Sequence, residues 1–180
     1  MGRSRSNVRR GRPRDEDARR AILDAAYQLV RERGFAEVTT ADIAARAGAG
    51  KQTLYRWWPT KSALVLDALA DWIARHEVDA RGTLSAFLVQ LCRGATEAAP
   101  ILRALLAEAQ HDAALRRALE RRLIDPLRVR LRSCLEGFRF AERERLISAI
   151  YGAVMYQLML HQPLDAVFIR GITRIVNRLG

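Results

Sequence analysis

Residues 39–61, TTADIAARAGAGKQTLYRWWPTK, read as a short helix, a glycine turn and a second short helix closed by an aromatic pair. Thr39 or Thr40 can cap the first helix, and Asp42 stands where it completes a capping box and meets the positive end of the helix dipole. Ile43, Ala44 and Ala47 make one apolar stripe. Gly48 then supplies the positive φ that a chain leaving a helix sharply adopts at little steric cost. Residues 51–57 have room for about two turns, with Leu54 inward and Gln52, Thr53, Tyr55 and Arg56 spread over the remaining face. A small residue, a turning glycine and an apolar anchor at these offsets suit two short helices crossing at close range, as in a helix-turn-helix. The same unit also serves as a plain packing corner, so its flanks decide its use.

Upstream, residues 1–14 carry Arg3, Arg5, Arg9, Arg10, Arg12 and Arg14 and no acid, a basic arm expected to be disordered without a partner. Within it, Arg10-Gly11-Arg12-Pro13-Arg14 is similar to an AT-hook core, in which an extended Gly-Arg-Pro backbone lies in a narrow minor groove and arginines meet its negative potential. The other reading of the arm is a nonspecific phosphate tether; both favour nucleic acid. Of the net charge of +11, residues 1–62 supply +7, from 14 basic and 7 acidic side chains, and residues 63–180 supply +4. The positive excess falls where the helix-turn-helix lies, as a localised electrostatic footprint should. Arginine outnumbers lysine 29 to 2. Lys51 and Lys61 both stand at the edges of the reading helix, where a compact point charge suits a phosphate contact.

At 180 residues the chain can hold one substantial core or a small domain joined to a larger one. Cys92 and Cys134 lie in apolar helical surroundings without neighbouring cysteine or histidine ligands and read as buried thiols in a reducing cytosol. The N-terminus has no apolar secretory core, and the mostly apolar run 146–160 is interrupted by Ser148 and Gln157. That run is too short for a membrane span, so no membrane partner and a cytoplasmic location are expected.

The periodicity is helical throughout and the fold class is all-α: an N-terminal three-helix head and a C-terminal helical body, about nine helices in all. The first helix begins near residues 15–17 and runs to Arg33, with Ile22, Ala26, Leu29 and Val30 inward and Gly34 ending it. Phe35 and Val38 cover the bottom of the head. Pro59 stops the reading helix, and Thr60 caps a fourth helix running to about His76. The body follows with helices over residues 83–98, 100–110 and 112–136, the last kinked or split at Pro126, and then 142–161 and 164–179. The organisation is thus an arm, 1–14, a helix-turn-helix domain, 15–61, and a body, 62–180.

The last two helices carry a second inference. Leu164, Val167, Phe168, Gly171, Ile172, Ile175, Val176 and Leu179 keep one apolar face, while Arg170, Arg174 and Arg178 take the other. The helix before them, with Leu146, Ile150, Val154 and Leu158, is apolar nearly all round and needs cover on every side. A second copy of the chain, joined in a two-fold four-helix bundle, supplies that cover economically; a helix simply central in its own subunit is the alternative.

The order arm, helix, TTADIAARAG, KQTLYRWW, PTK, helix resembles the TetR family of bacterial one-component transcriptional regulators, specifically over residues 17–66 and only in architecture beyond. The resemblance implies an all-helical fold with a DNA-binding head, a divergent body holding a small-molecule pocket, and dimerisation through the final two helices. Carried over, it implies that Thr40, Tyr55 and Lys61 contact backbone phosphate while Lys51, Gln52, Thr53, Arg56 and Trp57 occupy the part of the reading helix that faces the major groove. Gln52 suits an adenine edge, which its amide can both donate to and accept from; Arg56 reads guanine or holds a phosphate. Tyr55 has a second reading, its ring packing in the head while its hydroxyl reaches out. Two departures stand out: Gly50 replaces the serine that commonly caps this helix, and Gln52 a small residue. Trp58 belongs to the core.

For the pocket, Trp72, His76, Phe87, Gln90, Leu91, Arg103, Gln110, His111, Tyr151 and Met155 offer apolar walls with a few polar groups, a mixture an ordinary helical core also shows. The function implied is a ligand-responsive regulator, a repressor that binds a near-palindromic operator on double-stranded DNA as a homodimer and is released by a small, apolar effector. An architectural DNA binder without effector, or an activator with the same head, are the alternatives. Catalysis, a cofactor and a metal are not expected: His76, His111 and His161 are isolated, and no HExxH, GxSxG, phosphate-loop or CxxC motif occurs.

Overall fold

Helices fill the chain in the order the periodicity predicts in the computed structural model, which describes residues 12–76 and 83–179. Among the described residues no strand occurs. By Cα proximity the chain divides into two compact units, Met1–Ala68 and Leu69–Gly180.

In the first unit, α1 (Arg12–Arg33) precedes α2 (Thr40–Arg46), α3 (Lys51–Trp57) and the opening turns of α4 (Lys61–His76). The helix α1 starts earlier than the predicted residues 15–17, so the backbone of Arg12 and Arg14 is helical rather than part of an extended arm. Pro13 explains the extension, because a first-turn proline lacks only an N–H that would find no partner there, and its fixed φ suits a helix. Arg10 lies outside the described residues. The predicted stripe Ile22, Ala26, Leu29 and Val30 is buried, and Gly34 leaves the helix at φ 86°.

The unit boundary falls after Ala68, not after residue 61. Leu64, Val65 and Ala68 are buried, and Trp58 Nε1 donates to Asp67 Oδ2 at 2.9 Å, which fastens the first turns of α4 to the head.

The second unit holds the rest of α4 and then α5 (Leu84–Glu97), α6 (Ala99–Glu108), α7 (Ala113–Leu119), a π-helical segment (Glu120–Ile124), α8 (Asp125–Ser133), α9 (Phe140–Met159) and α10 (Ala166–Asn177). Thr83, Asp112 and Asp165 cap α5, α7 and α10 by accepting backbone N–H groups. The break expected at Pro126 takes a particular form: the chain widens into the π segment before it, and Pro126 sits in the first turn of α8. Proline removes one donor of the i→i−4 ladder, and a wider turn reconnects the ladder without a sharp kink. With that run counted as one, the described residues make nine helical bodies. α9 ends two residues before the predicted limit because His161 takes a left-handed φ of 56°, with the Gln162 N–H closing onto the Gln157 carbonyl at 2.8 Å.

The core of this unit gathers Leu84, Phe87, Leu88, Leu131, Leu135, Ile147, Ile150 and Val176. This corrects the predicted dimer surface: Ile150, Val154, Leu158 and Val176 are at most 3% exposed within their own chain and cannot meet a partner. Leu146 and Ile172 pack half-buried on the same core. α9 packs against α5, α6 and α8, and α10 against α5, so one apolar stripe of each is turned inward. The outward residues are Val167, Gly171, Ile175 and Leu179 on α10 and its C-terminal end, with Phe168 half-buried beside them, and Gly152, Tyr156 and Met159 on α9.

Candidate nucleic-acid interface and ligand cavity

The head builds its surface on three fully buried side chains, Val38, Ile43 and Leu54, each of which stabilises the fold by about 1.5–3 kcal/mol through apolar burial. Of the two possible caps for α2, Thr39 takes the role. Its hydroxyl accepts from the Asp42 N–H at 3.1 Å while its own N–H donates to Asp42 Oδ2 at 2.9 Å. The Thr39 hydroxyl, also donating to that carboxylate, holds Asp42 below the ordinary carboxylate range. At the other end of α2, Gly48 has φ 63°, and Ala49 N–H reaches the Ala44 carbonyl at 2.9 Å while Gly48 N–H reaches Ala45 at 3.2 Å. These two bonds are the Schellman pattern, and they aim α3.

On α3, Lys51, Gln52, Tyr55 and Arg56 are exposed, Thr53 and Trp57 are half-buried, and Gly50 caps the helix without a side-chain bond. The Thr40 and Tyr55 hydroxyls meet at 2.8 Å across 15 residues of sequence, forming one exposed polar point from two helices. Arg56 lies over the Trp57 ring and within 3.5 Å of Asp15, both partners well exposed. Such an exposed pair is weak and yields readily to a phosphate. Trp58 is core, edge-on to Trp57, with the Arg19 guanidinium 5.7 Å from its ring centroid.

Lys61 is engaged within the head. Its ammonium donates to the Phe35 carbonyl at 2.7 Å and the Val38 carbonyl at 3.0 Å, with the Phe35 ring centroid 4.1 Å away. It ties the loop after α1 to the start of α4. Both carbonyls follow α1 in a loop without a ladder partner, and the cation satisfies them.

In the body, α4, α5, α6, the π segment, α8 and α9 enclose a cavity of about 450 Å3. Seven of the predicted pocket residues line it: Trp72, His76, Phe87, Gln90, Leu91, Tyr151 and Met155. Three do not. Arg103 donates to the Leu158 carbonyl at 3.2 Å, Gln110 turns back to the Leu106 carbonyl, and His111 is exposed at the end of α6. The sequence reading missed Leu102, Leu123, Ile124, Leu127 and Arg130. A signal for the last existed, because Leu123, Leu127, Arg130, Leu131 and Cys134 fall on one helical stripe and a cation within an apolar stripe is out of place.

Arg130 reaches Gln90 Oε1 at 3.3 Å and lies over the Phe87 ring. Nearby, Glu144 accepts from Arg132 at 2.7 Å and from Arg128 at 3.2 Å, and these bonds, Arg132's above all, hold its carboxyl below the usual range. Cys92 is fully buried, and burial pushes its thiol up to about 11; Cys134 is half-buried and raised for the same reason. Neither is poised as a nucleophile. Among the described residues no group of acids, histidines and cysteines could hold a metal ion, and no helix is long and apolar enough to cross a membrane.

A family model described as bacterial regulatory proteins, tetR family, matches residues 22–68, and one described as Tetracyclin repressor-like, C-terminal domain, matches residues 76–176. The chain is 36% identical over 165 residues to the HTH-type transcriptional regulator YdeS of Bacillus subtilis (strain 168), covering 84% of this chain and 83% of the relative. Among solved structures, the TetR family transcription regulator SCO0332 matches with a TM-score of 0.70 and 27% identity over 89% of this chain and 97% of that one. The multidrug binding protein EbrR, solved in complex with imidazole, shares the fold at a TM-score of 0.62 and 19% identity, over 89% of this chain and 93% of its own. YdeS and SCO0332 are transcriptional regulators, not enzymes. Both parts of the fold, the capped helix-turn-helix and the helical body, are thereby accounted for, and the chain belongs to the TetR family of DNA-binding transcriptional regulators.

Proposed function

We propose that this chain is a ligand-responsive repressor that binds a near-palindromic operator as a homodimer in the cytoplasm and leaves it when a small, mainly apolar effector fills the body cavity. The observation that carries the reading is the combination, in one chain, of an exposed reading helix seated on fully buried Leu54 with a largely apolar cavity of about 450 Å3, a size suited to a drug-like molecule. EbrR, a fold neighbour, is itself a multidrug binding protein, which agrees with an effector site in such a body.

Gln52 reads a base edge and Lys51, Thr53, Arg56 and Trp57 flank it; the exposure of Lys51, Gln52 and Arg56 supports this. The joined hydroxyls of Thr40 and Tyr55 suit one phosphate, and Arg10, Arg12 and Arg14 add charge at the backbone or minor groove. Exposed Val167, Gly171, Ile175 and Leu179, with Gly152 and Tyr156, form the dimer face. The helix α4 contributes turns to both units and is the transmitter. For release, the effector must bind the DNA-free state more tightly, since equal affinity shifts nothing.

Selection of bound sequences from random duplex DNA tests this. A motif with two half-sites about 34–36 Å apart or a multiple of that is the expected result. Recovery of no motif at matched salt would favour an architectural binder instead. An operator at which binding raises transcription would make the protein an activator.

A further inference from the structure

Resting on the reading of the cavity as the effector site, we propose that the effector is an amphipathic carboxylate, its acid group received by Tyr151, Arg130 and Gln90 and its apolar body lying against Trp72, Leu123 and Leu127. Gln90, Arg130 and Tyr151 come from α5, α8 and α9 and all line the cavity, with Arg130 bonded to Gln90 and close enough to Tyr151 to act on its charge. The Tyr151 hydroxyl is shut away from solvent with no hydrogen-bond partner among the described residues. A buried donor left unmade is unfavourable and rare, so the site lacks an acceptor.

Charge says which acceptor. Arg75, Arg93 and Arg130 line the cavity with one lining acid, Glu97, and Arg75 is itself paired with Asp71 at 2.8 Å. Burial keeps the phenol protonated, well above its ordinary range, while Arg128 and Arg130 lie close enough to oppose that effect. The hydroxyl therefore offers a proton inside a cationic field. An ammonium would bring a further cation there and, having no acceptor, leave Tyr151 unanswered; an alcohol would answer the hydroxyl but add no charge-assisted bond to a guanidinium. A carboxylate does both, and its two oxygens match a guanidinium fork beside the phenol. The opposite walls are leucine, isoleucine and the stacked Trp72 and His76 rings, whose centroids lie 4.7 Å apart, so the rest of the molecule is apolar.

The test uses the full chain with decanoate, decanol and decylamine below their micellar concentrations, binding measured by calorimetry and operator release by anisotropy. Decanoate should bind at least about tenfold more tightly than the other two. Tyr151→Phe should weaken decanoate about five- to tenfold and Arg130→Gln about ten- to a hundredfold. A thermal transition and an operator affinity without ligand that match those of the parent chain show that each variant is folded. Decanol or decylamine binding as tightly as decanoate, no binding of decanoate, or variants that bind it normally would overturn the proposal. Decanoate bound in this pattern without effect on the operator would sink the ligand-response reading alone, whereas decylamine that binds and releases DNA would sink the carboxylate alone.

Discussion

In the head, Leu54, Ile43 and Val38 are wholly buried and the reading helix stands on them, whereas in the body Leu91, Leu102 and Leu127 stop short of one another and leave about 450 Å3 between them. The two regions are both predominantly helical and similarly rich in alanine, with leucine denser in the body. What separates them is where the site lies. A surface that must present side chains to a duplex needs a rigid underside and close packing beneath it. A body that must admit a guest needs packing left incomplete, with a few polar groups kept inside it. The difference teaches that helices serve opposite purposes through the completeness of their packing, since the region richer in leucine is the one that leaves space unfilled.

The sharpest way to break that contrast is a matched truncation. Leu54→Ala should destabilise the chain by about 2–5 kcal/mol and abolish operator binding, because it opens a hole beneath α3. Leu127→Ala, beside space that already exists, should cost only about 1 kcal/mol in denaturant titrations while altering effector affinity. Equal costs at the two positions would erase the distinction.

A second test concerns Lys61, whose ammonium is bonded to two carbonyls of the head. Lys61→Met should cost about 1–3 kcal/mol of stability through the two orphaned carbonyls and leave the salt dependence of operator binding unchanged. A salt slope reduced by about one would return Lys61 to the phosphates.

Two left-handed helix exits make a smaller pair. Gly48→Ala should destabilise by about 1–2 kcal/mol, through backbone conformation alone, since an added Cβ meets nothing within 4 Å. His161→Gly should instead stabilise by about 0.5–1 kcal/mol. Thermal melting of both variants measures the pair.

The smallest effect is acid sensitivity. Asp42 is held low chiefly by the Thr39 hydroxyl and Glu144 chiefly by Arg132, so the folded chain binds these protons less readily than the unfolded one. Their contribution is fully present above the unfolded carboxylate value of about 4 and is lost as pH falls through the lower folded values. Asp42→Asn should flatten the acid limb of a Tm-against-pH curve for the head and Glu144→Gln that for the body; an unchanged limb would count against these bonds.

The head was almost fully legible. The Thr39 and Asp42 box, the exits at Gly34 and Gly48, and the inward Leu54 each depend on partners a few residues away, and capping chemistry names them directly. The start of α1 was placed at least three residues late, at residues 15–17 rather than Arg12, because Pro13 in a first turn can open a helix. In the body, the cavity was half legible. Tyr151 and Gln90 were found as polar groups in apolar stretches, but Arg103 fell to a carbonyl 55 residues away and Arg130 was overlooked on a helix dominated by surface arginines.

Taken alone, the order of residues determined the helices, their caps, the basic front third and the exposed face of α3, because these rest on contacts within about one turn or on summed charge. The tertiary structure decided the rest. It turned Ile150, Val154, Leu158 and Val176 inward, drew Lys61 onto Phe35 and Val38, and brought Gln90, Arg130 and Tyr151 to the lining of one cavity. Periodicity says that a helix has an apolar face but not which neighbour covers it. That choice depends on how whole helices cross and on how much volume their side chains leave unfilled.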